Sequence, residues 1–236
     1  MKDHGVHKTK LSSSPIIGKA FGWDRVDHVL LDMDGTLLDR HFDNVFFEEE
    51  LPRRYAAKEG LGWEEARRRL FAMYRATEGN LSWTDLPYWS RLLGIDVVGL
   101  TREFQHLIEF HPDAVEFLTH LRAQGKRVHV VTNAHEDGVA IKVARTGIDR
   151  YVDGIINAFQ VGYLKMRAEY WPSCQRLIGF EPARSLYIDD DEACLAAAQA
   201  YGIGYLYHRA KSSSQLPPQP SSRFPSIETF HELMKR

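Results

Sequence analysis

Short apolar runs in this sequence stop at residues able to do chemistry. Val26 to Leu31 gives way to Asp32-Met33-Asp34-Gly35-Thr36, and RVHVV (residues 127 to 131) to Thr132-Asn133. Ser185 to Ile188 gives way to Asp189-Asp190-Asp191, and Lys165 lies between the second and third groups. Carboxylates gathered at one place repel one another and need a cation. An oxygen-only set of that kind suits Mg²⁺, which takes one or two carboxylates, waters and a substrate phosphate oxygen. The metal and a lysine offset the charge of an incoming phosphate, while a hydroxyl and an amide hold its equatorial oxygens. One carboxylate can then attack phosphorus in line.

Elements that place these groups together follow from the pattern. After the first apolar run, residues 42 to 109 carry helical periodicity and no strand signal. Ala66, Leu70, Phe71 and Met73 mark one helical face. Another helix is expected near Leu81, with Ser82 or Thr84 as cap. Beyond this block, strands and helices alternate. Helices are expected over 112–123, 138–146, 167–178 and 192–200, each ended by or close to a glycine. Strands are expected over 127–131, 154–157, 185–188 and 203–207. Ser226 is expected to cap a terminal helix over 227–234. Alternation of this kind implies an α/β fold, a Rossmann-like parallel sheet with helices on both faces. Ligands of such sheets bind outside the carboxyl ends of the strands, where the polar groups lie.

Composition bounds the reading. With 236 residues, 44% hydrophobic and 26% charged, the chain is long enough for one core domain and a modest insertion. A net charge of −2 favours neither nucleic acid nor a membrane surface as partner. Cys174 and Cys194 form no metal or disulfide framework and suit a reducing compartment. No apolar stretch matches a signal peptide or a membrane span, so a cytoplasmic location is expected.

The motifs resemble the haloacid dehalogenase-like (HAD) superfamily. Asp32-Met33-Asp34-Gly35-Thr36 is similar to its first motif, Thr132 to the second, Lys165 to the third and Asp189-Asp190 to the fourth. The helical block falls where that superfamily inserts a helical cap. Residues 1–22 read as a flexible leader outside the resemblance, which implies a catalytic core over 23–41 and 110–236 and a cap over 42–109. LLDMDGTLLD, LSWTDLPYWSRLLGID, VVTNAHED, VGYLK and LYIDDDEA look like the bacterial GMP/IMP nucleotidase branch. That likeness implies Mg²⁺-dependent hydrolysis of purine nucleoside 5′-monophosphates through an aspartyl phosphate. Carried over by position, Asp32 is nucleophile and metal ligand. Asp34 is general acid and then base, and gives the metal its backbone carbonyl. Asp190 is the further metal ligand, with Asp189 and Asp191 unassigned. Thr132 and Asn133 hold phosphate, and Lys165 stabilises charge. Around motif three this chain has Leu164 in place of a proline and Met166-Arg167 in place of an acidic pair. Lys165 is therefore expected to be held less tightly.

Plainer roles stand beside these. Asp32 and Asp34 could finish a turn, Thr132-Asn133 or Asp190 could cap a helix, and Lys165 could be a surface lysine. His135 could touch substrate or be a solvated loop residue. Trp83, Tyr88 and Trp89 could stack a base or fill the core of the helical block, and Arg53, Arg54 and Lys58 read as surface. Competing functions are a phosphatase for another small metabolite such as a sugar phosphate, a phospho-accepting domain of the receiver type, and an inactive binding module. Receivers are about half this long and lack a helical insertion after the first strand.

Overall fold

The computed structural model describes residues 22–235. The expected leader, residues 1 to 22, lies outside the described residues except for Gly22. Strand β1 (His28–Leu31) is followed by helix α1 (His41–Val45), one turn of π-helix (Phe46–Glu50) and α2 (Leu51–Glu59). Then come α3 (Trp63–Thr77), α4 (Leu86–Leu93), α5 (Val97–Glu103) and α6 (Ala114–Ala123). The alternating part continues with β2 (Arg127–Thr132), α7 (Glu136–Thr146), β3 (Gly154–Asn157), α8 (Ala158–Val161) and α9 (Tyr170–Ile178). It ends with β4 (Ser185–Asp189), α10 (Glu192–Tyr201), β5 (Tyr205–Arg209), β6 (Ser226–Ile227) and α11 (His231–Met234).

The six strands form one sheet in the order β3-β2-β1-β4-β5-β6, with every pairing parallel. β1 is buried throughout, as a central strand covered on both faces must be. Its alternate side chains enter different cores. Val29 and Leu31 pack with residues of α6, α7 and α11, whereas Leu30 packs with residues of α9 and α10. The expected parallel sheet with helices on both faces is thus present.

Two segments lead into and out of the helical block, and they pair with each other. Leu38 bridges Phe110 in antiparallel fashion, the Asp39 amide donates to the Glu109 carbonyl at 2.9 Å, and the His111 amide donates to Leu37 at 2.9 Å. Residues 39 to 109 thus leave and rejoin the sheet at one place, over the carboxyl end of β1.

Local expectations fail in three places. Ser226 caps no helix. It lies in β6, whose two residues pair with His208 and Arg209, and the last helix begins only at His231. The Asp113 carboxylate accepts from the Phe230 amide at 2.5 Å and pairs with the buried Arg209 guanidinium at 3.1 Å, which pins this end of the chain to the sheet. Neither Ser82 nor Thr84 caps α4. Leu81–Trp83 forms a separate 3₁₀ turn, and Asp85, extended at ψ 100°, accepts from the Tyr88 amide at 2.8 Å. Helix α9 starts at Tyr170 rather than Arg167, because the chain after Lys165 first makes turns, Arg167 to Leu164 and Tyr170 to Arg167.

His28 and His129 stack across β1 and β2 with ring centroids 6.3 Å apart. Burial is the main cause that holds both imidazoles below their ordinary range. In that window the unfolded chain binds more protons than the folded one, so stability falls as pH drops through about 6.5. Melting temperatures measured from pH 8 to 5 should decline less steeply in His28→Phe/His129→Phe than in the wild type. Parallel curves would show that these rings do not carry the dependence.

Candidate active site

Strand register brings the acidic groups together. Leu31 pairs with Ile188 on one side and Val130 on the other. The residues that follow, Asp32 and Asp189, therefore emerge side by side, and the Asp32 amide donates to the Ile188 carbonyl at 3.0 Å. Thr132 is the last residue of β2 on the other flank. Beyond Asp32 the chain turns sharply. Gly35 has φ +87°, and its amide donates to the Leu38 carbonyl at 2.8 Å. A Cβ on Gly35 would lie 2.7 Å from Cγ of Asp190, so only glycine lets this turn come so near the acidic one.

Lys165 lies at the centre. Its Nζ donates to Oδ1 of Asp32 and, at 2.8 Å, to Oδ2 of Asp189. Lys165 is 2% exposed, Asp32 5% and Asp189 1%. The Tyr187 hydroxyl also donates to Oδ2 of Asp189, and the Asp191 amide donates to its Oδ1 at 2.7 Å. Burial alone would favour a neutral amine at Lys165. The charges of Asp189 and Asp32 outweigh it and hold the ammonium well above its ordinary range. Burial pushes the Asp32 carboxyl well above the usual carboxylate range. Lys165 offsets part of that, while Asp189, Asp190 and Asp34 add to it.

The expected loosening of Lys165 is absent. Leu164 is 1% exposed and anchors the backbone by packing. The Lys165 amide donates to Oδ1 of Asn133 at 2.9 Å. Asn133 thus fastens the lysine loop with one end of its amide, and its Nδ2 stands 4.0 Å from Sγ of Cys194. Oγ1 of Thr132 accepts from the Ala134 amide at 3.0 Å, which leaves its proton free to donate.

Asp190 accepts from Nη1 of Arg40 at 2.9 Å. Burial and then the Asp189 charge push its carboxyl up to about 7, with Arg40 and Lys165 acting the other way. Carboxylate oxygens of Asp32, Asp189 and Asp190 lie within 4.8 Å of one another. Two buried carboxyls and one half-buried one, with Asp32 and Asp190 pushed toward the neutral form by burial first and then by neighbouring charge, are a donor set that a hard cation stabilises. The residues fit Mg²⁺ on that ground. The Asp34 carboxylate stands outside this cluster, which leaves its backbone carbonyl as the group it could offer a metal. Asp191 caps α10 by accepting from the Ala193 amide at 2.7 Å.

Two cations at the site escaped the sequence reading. Arg40 is one. The other is Lys142 on α7, 5% exposed, whose Nζ lies 2.7 Å from Oδ1 of Asp34 and 3.5 Å from Oδ1 of Asp43. Burial pulls its ammonium down, but Asp34 and Asp43 outweigh it and the net shift is upward. Asp43 is pushed up to about 6, by burial first, with Lys142 opposing. A signal existed. Gly138, Ile141, Lys142 and Arg145 follow the spacing of a helix stripe, and a lysine placed beside buried positions needs an acidic partner.

All six residues singled out from the sequence, Asp32, Asp34, Thr132, Asn133, Lys165 and Asp190, line one cavity of about 420 Å³. Its far side belongs to the helical block and includes Phe47, Phe71, Tyr74 and Trp83. Trp89 is no part of it. That ring is 1% exposed, packs against Tyr74 and donates to the Trp83 carbonyl at 2.9 Å. Tyr88 is also outside the lining. His135 lines the wall while its Nδ1 accepts from the Asp137 amide at 3.2 Å, capping α7. Arg53, Arg54 and Lys58 pair with Glu49, Glu50, Glu103 and Glu59 on the surface.

Comparison with known proteins agrees with this geometry. The family described as haloacid dehalogenase-like hydrolase matches residues 26–202. The chain belongs to this family. It is therefore an enzyme, a hydrolase. The GMP/IMP nucleotidase YrfG of Escherichia coli (strain K12) is 36% identical over 212 residues, covering 90% of this chain and 96% of that protein, and the protein of the same name from Shigella flexneri matches equally. Among solved structures, a HAD phosphatase from Thermococcus onnurineus superposes with a TM-score of 0.75 at 22% identity, over 89% of this chain and 97% of that one. An L-2-haloacid dehalogenase from Xanthobacter autotrophicus gives 0.57 at 14% identity, over 89% and 97%. At such identities these two structures speak for the fold alone. Among the described residues no helix is long and apolar enough to cross a membrane.

Gly35→Ala tests how closely the first turn and the acidic turn depend on each other. The left-handed backbone should cost about 1–2 kcal/mol of stability, and the new methyl should displace the Asp190 carboxylate. A Mg²⁺ titration read by thermal shift should then need more ion than in the wild type. An unchanged titration would mean that Asp190 does not help to hold the metal.

Proposed function

We propose that the protein is a Mg²⁺-dependent phosphomonoester hydrolase that works through an aspartyl phosphate on Asp32, with purine nucleoside 5′-monophosphates, IMP and GMP, as substrates. The observation that carries this reading is the Asp32 carboxylate in the lining of the cavity, with Lys165 on one oxygen. The other oxygen accepts no hydrogen bond among the described residues. That free oxygen is the nucleophile. Asp32, Asp190 and the Asp34 carbonyl would hold Mg²⁺, and the ion would supply positive charge that keeps these carboxyls ionised and draws charge from the phosphoryl oxygens.

The Asp32 oxygen attacks phosphorus while the bond from phosphorus to the sugar oxygen breaks. The electron pair goes to that oxygen, which takes a proton from Asp34. Water then attacks the phosphoryl group and gives a proton to Asp34. The bond from phosphorus to Asp32 breaks, and inorganic phosphate leaves. Lys165, the Thr132 hydroxyl and Nδ2 of Asn133 hold the phosphoryl oxygens through both steps.

The far half of the cavity supports a nucleoside as leaving group. Phe47, Phe71 and Trp83 offer ring surface for a base. The side chains of Asn44, Arg75 and Glu78 line the same cavity and make no hydrogen bond among the described residues, which leaves donors and acceptors for a base edge. The likeness to the GMP/IMP nucleotidase favours a purine. Both cysteines are buried free thiols, which suits a reducing compartment such as the cytoplasm.

Phosphate release should be measured with Mg²⁺ over IMP, GMP, AMP, pyrimidine monophosphates and several sugar phosphates. IMP and GMP should be preferred, excess chelator should stop the reaction, and Asp32→Asn should lower turnover by more than roughly a thousandfold without unfolding the protein. Turnover of sugar phosphates alone would discard the nucleotide, and an active Asp32→Asn would discard the mechanism.

A further inference from the structure

Lys142 has no part in the mechanism above, yet it is a buried lysine in the wall of the reaction cavity. Its ammonium has three protons and two carboxylate partners, Asp34 at 2.7 Å and Asp43 at 3.5 Å. The ring of Phe42 lies 5.6 Å away on a third side. A lysine is rarely taken out of water without a purpose, because losing its hydration is costly unless carboxylates replace it. A purely structural pair would not need to end on Asp34, whose other carboxylate oxygen must face the leaving group.

We propose that Lys142 is the positioning residue for Asp34. By holding Oδ1 it leaves Oδ2 as the oxygen that carries and delivers the proton. It also keeps the Asp34 carboxylate turned away from the cluster of Asp32, Asp189 and Asp190, where it would add a fourth negative group. The lysine comes from α7 of the sheet-bearing part, so Asp34 keeps this orientation independently of the substrate. The role rests on the reading of Asp34 as general acid.

The leaving group separates this role from a structural one. A nucleoside alkoxide needs a proton as it departs, whereas p-nitrophenolate leaves without one. The ratio kcat/KM covers only the steps through the first irreversible one, transfer of the phosphoryl group to Asp32, so the later need for a base does not enter it. Wild type, Lys142→Met, Lys142→Arg and Asp34→Asn should be compared on IMP and on p-nitrophenyl phosphate. With Lys142→Met, kcat/KM for IMP should fall about a hundredfold, the size of a lost acid contribution. That for p-nitrophenyl phosphate should change only a few-fold. Lys142→Arg should recover most of the IMP loss, and Asp34→Asn should show the same split between substrates. If Lys142→Met fails to fold, Lys142→Met/Asp43→Asn removes one of the two carboxylates left unpaired and should show the split instead. Equal losses on both substrates, or none, would overturn the positioning role while an intact split in Asp34→Asn leaves the proposed reaction standing. Absence of a split in Asp34→Asn would overturn both.

Discussion

The ammonium of Lys165 between Asp32 and Asp189 is the contact on which the rest of the site depends. A parallel sheet brings the ends of its central strands to one edge, and here two of those ends are acidic. Without a cation between them, Asp32 and Asp189 would be buried like charges with oxygens within 4.8 Å, a situation that destabilises by several kcal/mol when one partner of a buried pair is lost. One lysine between them turns repulsion into two ion pairs. Its own burial is tolerable only because both carboxylates are present. The Tyr187 hydroxyl and the Asp191 amide then satisfy the remaining capacity of Asp189. Asp189 is thereby committed on both oxygens, whereas Asp32 keeps one without a hydrogen bond among the described residues.

This arrangement also explains how the third motif does without its proline. A proline stiffens a loop by fixing φ. Here the buried Leu164 side chain and the bond from the Lys165 amide to Asn133 restrain the same segment. Asn133 therefore ties the end of β2 to the loop after α8, and only the NH₂ end of its amide is left to meet a ligand. Side-chain packing and one hydrogen bond replace a covalent restraint.

The strand-end residues were legible in the sequence because apolar runs fix where strands stop, and a parallel sheet fixes which edge those stops share. Asp32, Thr132 and Asp189 followed from that logic alone. Lys142 and Arg40 did not, because their partners are set by where α7 and the link at residue 40 pack in space. The stripe of α7 marks Lys142 as close to buried positions, but no period in the sequence names its partner or that of Arg40. The two-residue β6 was illegible for a related reason. Ser226-Ile227 is too short to show alternation, and it is a strand only because β5 offers an open edge. Trp89 shows the converse. Its spacing allowed both a base-stacking face and the core of the helical block; it lies in that core against Tyr74, and Trp83 is the ring left at the cavity.

Lys142 also joins the two parts of the molecule at their seam. Asp34 belongs to the turn after β1, and Asp43 to α1, the first helix after the paired link segments. The two contacts are unequal, 2.7 Å against 3.5 Å. A small displacement of the helical block would stretch the longer contact first and leave the shorter one intact. The Asp34 carboxylate is thus held from the sheet side at the shorter distance, while Asp43 ties the helical block to the same lysine at the longer one. Lys142 therefore ties the turn after β1 to α7 more closely than it ties α1.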